Sequence, residues 1–520
     1  MAFELLIPNM EQKITSFFLI FLACTILIWY LQMLWKKRKI YQASLSLPGP
    51  LALPIIGSAL YFIGARKSYD FFQKLKHLFN SYPGIFRIWL GPQMYYAVSE
   101  PKYVDIILTS PAALRKDNLY RFLEPVSGHG LVSALLVSQW KKNRKLINPA
   151  FNQQILNSFM VVFVEQAEVF VDILKKYVGK GECDIMKLVS RCTLDIICET
   201  AIGVKIQSQS TNSSIAESVE RSMEIVLIRI LTIYYHSDLV FDHSPIGKEF
   251  YDVSKKLRAY TETIIEQKKK QREKEKLENK ELFFEEGASL RKKVFLDLLI
   301  DINDNCQTKY VQFTDEELLD ETMTILIAGS DTTSTTTCYV LMMLAIHQDI
   351  QERVFGEILE VVGDEESVQL YHLPNLNYLE RIIKETLRLF PIVPFLLRRT
   401  EGNIDIGDYT IQKDCPIIIN TLHLHRTEKY WPNSLKFDPD RFLPERAAKI
   451  VPGSFIPFSY GPRNCIGMKF SIMEMKTILT TVIKRYRLLT SYKSVEEIEL
   501  DSTLLLRPRD GYKLSFELRN

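Results

Sequence analysis

The sequence predicts a mainly α-helical body with small peripheral β-sheets, preceded by one N-terminal transmembrane helix. Three observations carry this. Apolar residues recur three or four apart over several long stretches, the period of helices with one buried face. Runs that alternate or are rich in β-branched residues are short and few, as small sheets require. From Ile14 to Trp35 no charge interrupts a stretch dominated by Phe, Leu and Ile, and a helix of that length crosses about 30 Å of hydrocarbon.

In chain order, residues 1–35 form the predicted membrane anchor. Trp29, Tyr30 and Trp35 close the apolar run, and Lys36, Lys37, Arg38 and Lys39 follow it. This is an aromatic belt with a cationic stop, not the small-residue cleavage site of a signal peptide. Those four cations, against Glu4, Glu11 and Lys13 ahead of the span, predict that residue 36 onward is cytosolic. Residues 36–55 are read as a basic and proline-rich tether. Pro48, Pro50 and Pro54 exclude helix there and predict a semi-rigid extended segment. No comparable cluster of Pro and Gly recurs before residue 391, so residues 56–520 read as one body.

Within that body, helices are predicted over Ala150 to Tyr177, Ser218 to Tyr235, Ile246 to Lys280 and Thr314 to His347 from their spacing. Short strands are predicted at Ile85 to Trp89, Met94 to Val98, Ile404 to Ile411, Cys415 to Asn420 and in the last twenty residues. Glu266 to Glu281 alternates charge at i,i+3 and i,i+4, a solvated helix face or a mobile loop rather than a binding tail. Ser222 to Tyr235 is apolar for a surface helix. It reads equally as plain core and as a segment that lines a substrate route or touches a bilayer.

Composition narrows the function classes. With 47% hydrophobic and 24% charged residues, 21 Gly and 22 Pro, the chain is globular with a sizeable core. A net charge of +3 gives no general attraction for nucleic acid. Eight cysteines without a C-x-x-C pair fit neither a disulfide scaffold nor a zinc-finger array. A large enzyme or binding protein with reduced thiols remains, as a reducing compartment allows.

Residues 457–470 read PFSYGPRNCIGMKF, followed by a helix from about Ile466 to Tyr486. Cys465 stands at the start of that helix, where the dipole and unpaired N–H groups of the first turn favour a thiolate. Gly461 and Gly467 permit a tight turn and the close approach of a flat group, and Arg463 supplies a fixed cation two residues away. A thiolate ligand to haem iron needs this combination: a stabilised sulfur anion, room for a macrocycle and a guanidinium for a propionate.

Phe458, Gly461, Arg463, Cys465 and Gly467 meet F-x-x-G-x-R-x-C-x-G, and on this motif the chain resembles the cytochrome P-450 superfamily. Further matches stand in the family's order. Glu385 and Arg388 meet E-x-x-R, while Pro439, Arg441 and Phe442 meet P-x-R-F. The resemblance implies that Glu385, Arg388 and Arg441 form a buried ion network supporting the haem-side core. Trp140 and Arg144 meet W-x-x-x-R, and by resemblance they reach a haem propionate together with Arg398 and Arg463.

AGSDTT, Ala328 to Thr333, lies within the apolar stretch Met323 to Leu344. Such a polar island is costly in a buried helix unless paired or functional. Gly329 is expected to leave room for a diatomic ligand, and a Thr hydroxyl bonding one turn back can open the helix locally. By resemblance this groove, with Ala328 and Gly329, lies against the cofactor and takes dioxygen, and Asp331 and Thr332 manage water and proton delivery. FLDLLI at 295–300, FDPDRFLPE and PFSYGPRNCIG are similar to animal microsomal members of the clan containing fatty-acid ω-hydroxylases and many insect enzymes. Many of these carry Glu where this chain has Ala328, so haem b is expected without a covalent link. The implied activity is a monooxygenase of the endoplasmic reticulum membrane, single-pass with a cytosolic catalytic domain. Its implied partners are NADPH-cytochrome reductase, cytochrome b5, O2 and a lipophilic substrate: a fatty acid, steroid, pheromone-like lipid or xenobiotic. Ala112 to Ser138 and Ser222 to Asp242 line the pocket by the same analogy. Two other readings stand beside it: a haem-thiolate isomerase or dehydratase, which the acid–alcohol pair disfavours, and a non-catalytic haem sensor, which needs no proton relay.

Overall fold

The computed structural model describes residues 7–519 except 54–55, 66, 212–213, 282–293, 306–311 and 503. The first helix, Ile7–Lys36, projects from the body, and none of its apolar stretch from Ile14 to Lys36 is buried by the protein. A second helix, Arg38–Leu45, lies on the body with Tyr41 stacked on Trp89 at 4.5 Å between ring centres.

The segment expected as a semi-rigid extended tether is helical at its start and fastened to the body thereafter. Leu47 is buried. Arg87 donates its backbone N–H to Pro48 O at 2.9 Å and its guanidinium to Ser44 O at 2.5 Å and to Leu47 O. The physical reason is an edge strand. Ile85–Leu90 is the outermost strand of its sheet, and an open edge has unpaired backbone groups that an extended, proline-stiffened segment can cover.

That sheet has four strands. Ile85–Leu90 pairs antiparallel with Gln93–Val98 through a two-residue loop whose Gly91 takes φ +57, a conformation that suits hairpins. Gln93–Val98 then pairs in parallel with Pro416–Asn420, Tyr96 opposite Ile417. Phe395–Arg399 pairs antiparallel on the far side, Arg398 opposite Ile417. This last strand is not among those predicted, because two prolines interrupt the segment before Phe395. Smaller two- and three-stranded sheets use residues 404–411 and the C-terminal region.

The helical layers surround one long helix, Asp315–Ile346. Thr314 and Glu317 cap its N-terminus reciprocally, as a capping box does, and nearly all of it from Leu318 to Ala345 is buried. A helix apolar all round belongs in such a core. Met186–Ile197, Asn377–Leu389 and Met468–Arg485 pack around it. The predicted helix over Ala150 to Tyr177 is broken. Asn152 accepts from Ile155 N–H at 3.0 Å and caps a short helix, and Met160–Leu174 follows as a separate one; an Asn side chain bonding its own backbone competes with helix continuation. The charged run after Glu266 is helical, part of Pro245–Glu281.

Candidate active site

Cys465 is held by the loop before Met468–Arg485. Gly461 has φ +72, and a β-carbon there would meet Leu108 O at 2.1 Å, so only glycine lets the loop press on the end of helix Pro101–Thr109. Cys465 N–H donates to Phe458 O at 2.8 Å, closing the turn. The residue is exposed although protein surrounds its thiol on most sides. Burial pushes its thiol pKa up, while the N–H groups of Gly467 and Met468 and the charge of Arg144 act in the opposite direction. The buried thiols of Cys192 and Cys338 have no such donors and are pushed well up by desolvation. Cys415 is raised to about 11. Cys306, expected to be a packing residue, lies outside the described residues.

Three cations gather beside this loop. Arg398, buried on its strand, donates to Leu397 O at 3.0 Å and Ser459 Oγ at 3.5 Å. Arg463 donates Nη2 to Ala134 O at 3.0 Å, and its guanidinium lies 4.5 Å over the Trp140 ring. Its Nε and Nη1 are buried without a partner. Lys116 Nζ lies 3.4 Å from Tyr120 Oη. Burial lowers all three pKa values, Lys116 well below its ordinary value and Arg463 to about 9; repulsion from neighbouring guanidinium groups adds to the fall for Lys116 and Arg463, while Tyr120 opposes it for Arg398. The nearby acid Asp117 pairs instead with Arg399, at 3.4 Å. Buried cations without anions are unstable arrangements unless a ligand supplies the charge. A thiolate cradle adjoining such a cluster fits a flat macrocycle bearing carboxylates.

On the long helix, Thr332 Oγ1 donates to Ala328 O, one turn back, at 2.6 Å. Asp331 pairs with Arg507 at 2.7 Å; burial raises its pKa and Arg507 opposes the rise.

The comparisons with known proteins agree with this geometry. A family model described as Cytochrome P450 matches residues 47–516. The chain is 34% identical to "Cytochrome P450 4V2" of Mus musculus, over 96% of this chain and 94% of that protein. It is 30% identical to "Cytochrome P450 4c21" of Blattella germanica, over 96% and 99%. It is also 31% identical to "Cytochrome P450 4c3" of Drosophila melanogaster, over 100% and 98%. The chain belongs to the cytochrome P450 family. This P450 is a haem-thiolate monooxygenase that binds haem b through a cysteine thiolate. It uses dioxygen, a lipophilic substrate and electrons from a reductase.

The remaining motif residues of this P450 divide in two. Glu385 accepts from Arg388 at 2.7 and 2.8 Å, from Arg441 at 3.3 Å and from Asp438 N–H at 3.0 Å. Arg388 also donates to His425 O and Ser434 O. Arg144, expected at a propionate, donates to Asn464 O and Oδ1, both at 2.9 Å, because Asn464 brings two acceptors to the guanidinium's fork. Gly329 is tightly enclosed. A β-carbon there would meet Ile197 Cδ1 at 2.7 Å, so this glycine permits close packing of the long helix on Met186–Ile197 rather than leaving space for a diatomic ligand. Two residues of the site were missed in the sequence. Lys116 stands in a segment without periodicity and had no signal. Arg507 had a faint one, a single cation following Leu504 to Leu506.

Proposed function

We propose that this P450 is anchored in the endoplasmic reticulum membrane by residues 1–35, with 36–55 joining the anchor to a cytosolic catalytic domain at 56–520. It inserts one oxygen atom of O2 into a lipophilic substrate: a fatty acid, steroid, pheromone-like lipid or xenobiotic. NADPH-cytochrome reductase supplies the electrons, with cytochrome b5 as a second donor. The unpaired set Lys116, Arg398 and Arg463 beside the Cys465 loop is the observation that carries this reading.

Haem b, when bound, supplies oxygen binding and oxygen transfer. Cys465 would hold its iron through sulfur, the anion favoured by two N–H groups and by Arg144. Lys116, Arg398 and Arg463 would hold its carboxylates, with Trp140 supporting Arg463. Arg144 steadies the loop through Asn464. Phe458, Gly461 and Gly467 shape that loop, Ala328 adjoins the cofactor without a covalent link, and Gly329 lets the long helix pack closely on Met186–Ile197. Thr332 and Asp331 hold and pass protons on the oxygen side. Glu385, Arg388 and Arg441 keep the haem-side core intact. Ile233 and Leu239 are 68% and 73% exposed and Tyr234 lies between them, a grouping that supports bilayer contact for this segment.

The reduced protein under carbon monoxide tests the reading. The red-shifted Soret band of a haem-thiolate is expected; it disappears in Cys465→Ala and persists in Cys198→Ala. A band that survives Cys465→Ala sinks the assignment.

A further inference from the structure

The first turns of the long helix carry three acids whose partners differ. Glu317, half-buried, pairs with Lys142 of the helix Val137–Ile147 at 2.6 Å. Asp320, 2% exposed, pairs with Arg258 at 2.9 Å and accepts the His129 N–H at 2.7 Å. Glu321 is fully buried, and among the described residues no cation pairs with it. It takes two neutral donors instead: Leu131 N–H on Oε2 at 3.0 Å and Asn143 Nδ2 on Oε1 at 2.8 Å. Burial raises its pKa to about 7, against the pull of these two bonds. An apolar side chain of similar size would avoid the cost of burying a carboxyl, which directs attention to what the two bonds hold.

Each of them leads to Arg463. Leu131 belongs to a turn closed by Ala134 N–H on Gly130 O at 2.8 Å, and Ala134 O accepts from Arg463 Nη2 at 3.0 Å. A β-carbon at Gly130 would meet Thr324 Oγ1 at 2.0 Å, so only glycine lets this turn lie against the long helix. Asn143 stands one turn after Trp140 on the same helix, and the Trp140 ring lies 4.5 Å from the Arg463 guanidinium. The carbonyl and the ring that support Arg463 are therefore both tied to one carboxyl. Because Nε and Nη1 of Arg463 have no partner among the described residues, these two supports set where its open donors point.

We propose that Glu321 is a positioning residue for the haem carboxylates: it holds the turn of Ala134 and the helix of Trp140 in register, and through them it aims the open donors of Arg463. The proposal rests on reading Arg463 as a holder of those carboxylates. Without Glu321, Leu131 N–H and Asn143 Nδ2 lose their shared acceptor, and the turn and the helix shift independently. A guanidinium grips a carboxylate through two parallel bonds, an arrangement that tolerates little misplacement. Glutamine can stand in for the acid. Its oxygen takes Leu131 N–H, and its amide donates to Asn143 Oδ1, which is buried without a partner, once the Asn143 amide turns over.

The test is the rate of haem release from the full-length, haem-loaded protein to excess apomyoglobin, with the haem reduction potential as a second readout. Glu321→Leu is expected to speed release by about 10-fold, the lower end of what losing a charge-assisted bond to a ligand costs. It should also lower the potential, as Arg463→Met does, because a well-placed cation favours the added electron. Glu321→Gln should release haem at close to the wild-type rate. Residues that act through one contact are not additive, so Glu321→Leu combined with Arg463→Met should release haem no faster than Arg463→Met alone. Asn143→Ala, which removes one of the two bonds, should show the same non-additivity with a smaller effect, and it carries the comparison if Glu321→Leu does not fold. Effects that multiply in the double variants, or a wild-type release rate in Glu321→Leu, overturn the proposal while leaving the role of Arg463 intact. An unchanged release rate in Arg463→Met overturns the reading of Arg463 itself, and the proposal with it.

Discussion

Two sets of buried cations in this protein meet opposite fates. Arg388 and Arg441 close on Glu385, and Arg388 spreads its remaining donors over main-chain carbonyls. Arg398, Arg463 and Lys116 have carbonyls, a serine and a tyrosine for company, and two nitrogens of Arg463 have nothing. Both sets carry the desolvation cost of buried charge. One is balanced within the chain; the other is balanced only when an anionic ligand arrives. On the function proposed above, the first belongs to folding and the second to cofactor binding.

The widest separation is expected from Glu385→Ala. It strands Arg388, which is fully buried, and should cost about 3–5 kcal/mol, read as a lowered thermal midpoint with and without haem. Arg463→Met should behave differently. Losing charge-assisted bonds to a ligand costs about 1.5–3 kcal/mol, so haem release should quicken by roughly 10-fold to 150-fold, while the haem-free protein unfolds no earlier than wild type. Equal destabilisation of both forms would collapse the distinction between the two sets. The smallest expected effect is in pH. The folded-state pKa of Lys116 lies well below 10.5, so over the interval between them the unfolded chain holds a proton that the folded chain has lost. Stability of the haem-free protein should then rise with pH across that interval. Bound carboxylates raise the Lys116 pKa and should flatten the slope, a contrast measurable by unfolding both forms at neutral pH and near about pH 9.

Much of this was legible along the chain. The apolar run from Ile14 marked a possible span because it needs no partner to be recognised. The long helix after Thr314 showed itself by period and cap, and the polar residues from Ser330 to Thr333 by their placement within it. Cys465 was singled out from eight cysteines because what it needs, glycines and first-turn N–H groups, lies within a few residues of it. Glu385 and Arg388 were adjacent on one helix face for the same local reason.

What local pattern could not reach is contact between distant segments. The proline-rich segment read as a tether because its prolines exclude helix, but only the open edge of Ile85–Leu90 determines that it is fastened down. Gly329 read as space for a small ligand, until Ile197 of a neighbouring helix filled that space. Arg144 stood one turn from Trp140 as a propionate ligand would, and the competing acceptors on Asn464 come from another part of the chain. Lys116 and Arg507 join their partners across large sequence separations. The sequence by itself determined the anchor-like helix, the helical body and the thiolate loop, because periodicity, capping and turn chemistry act over a few residues. The tertiary structure decided which buried charges find partners, since burial and pairing depend on what the rest of the chain brings alongside.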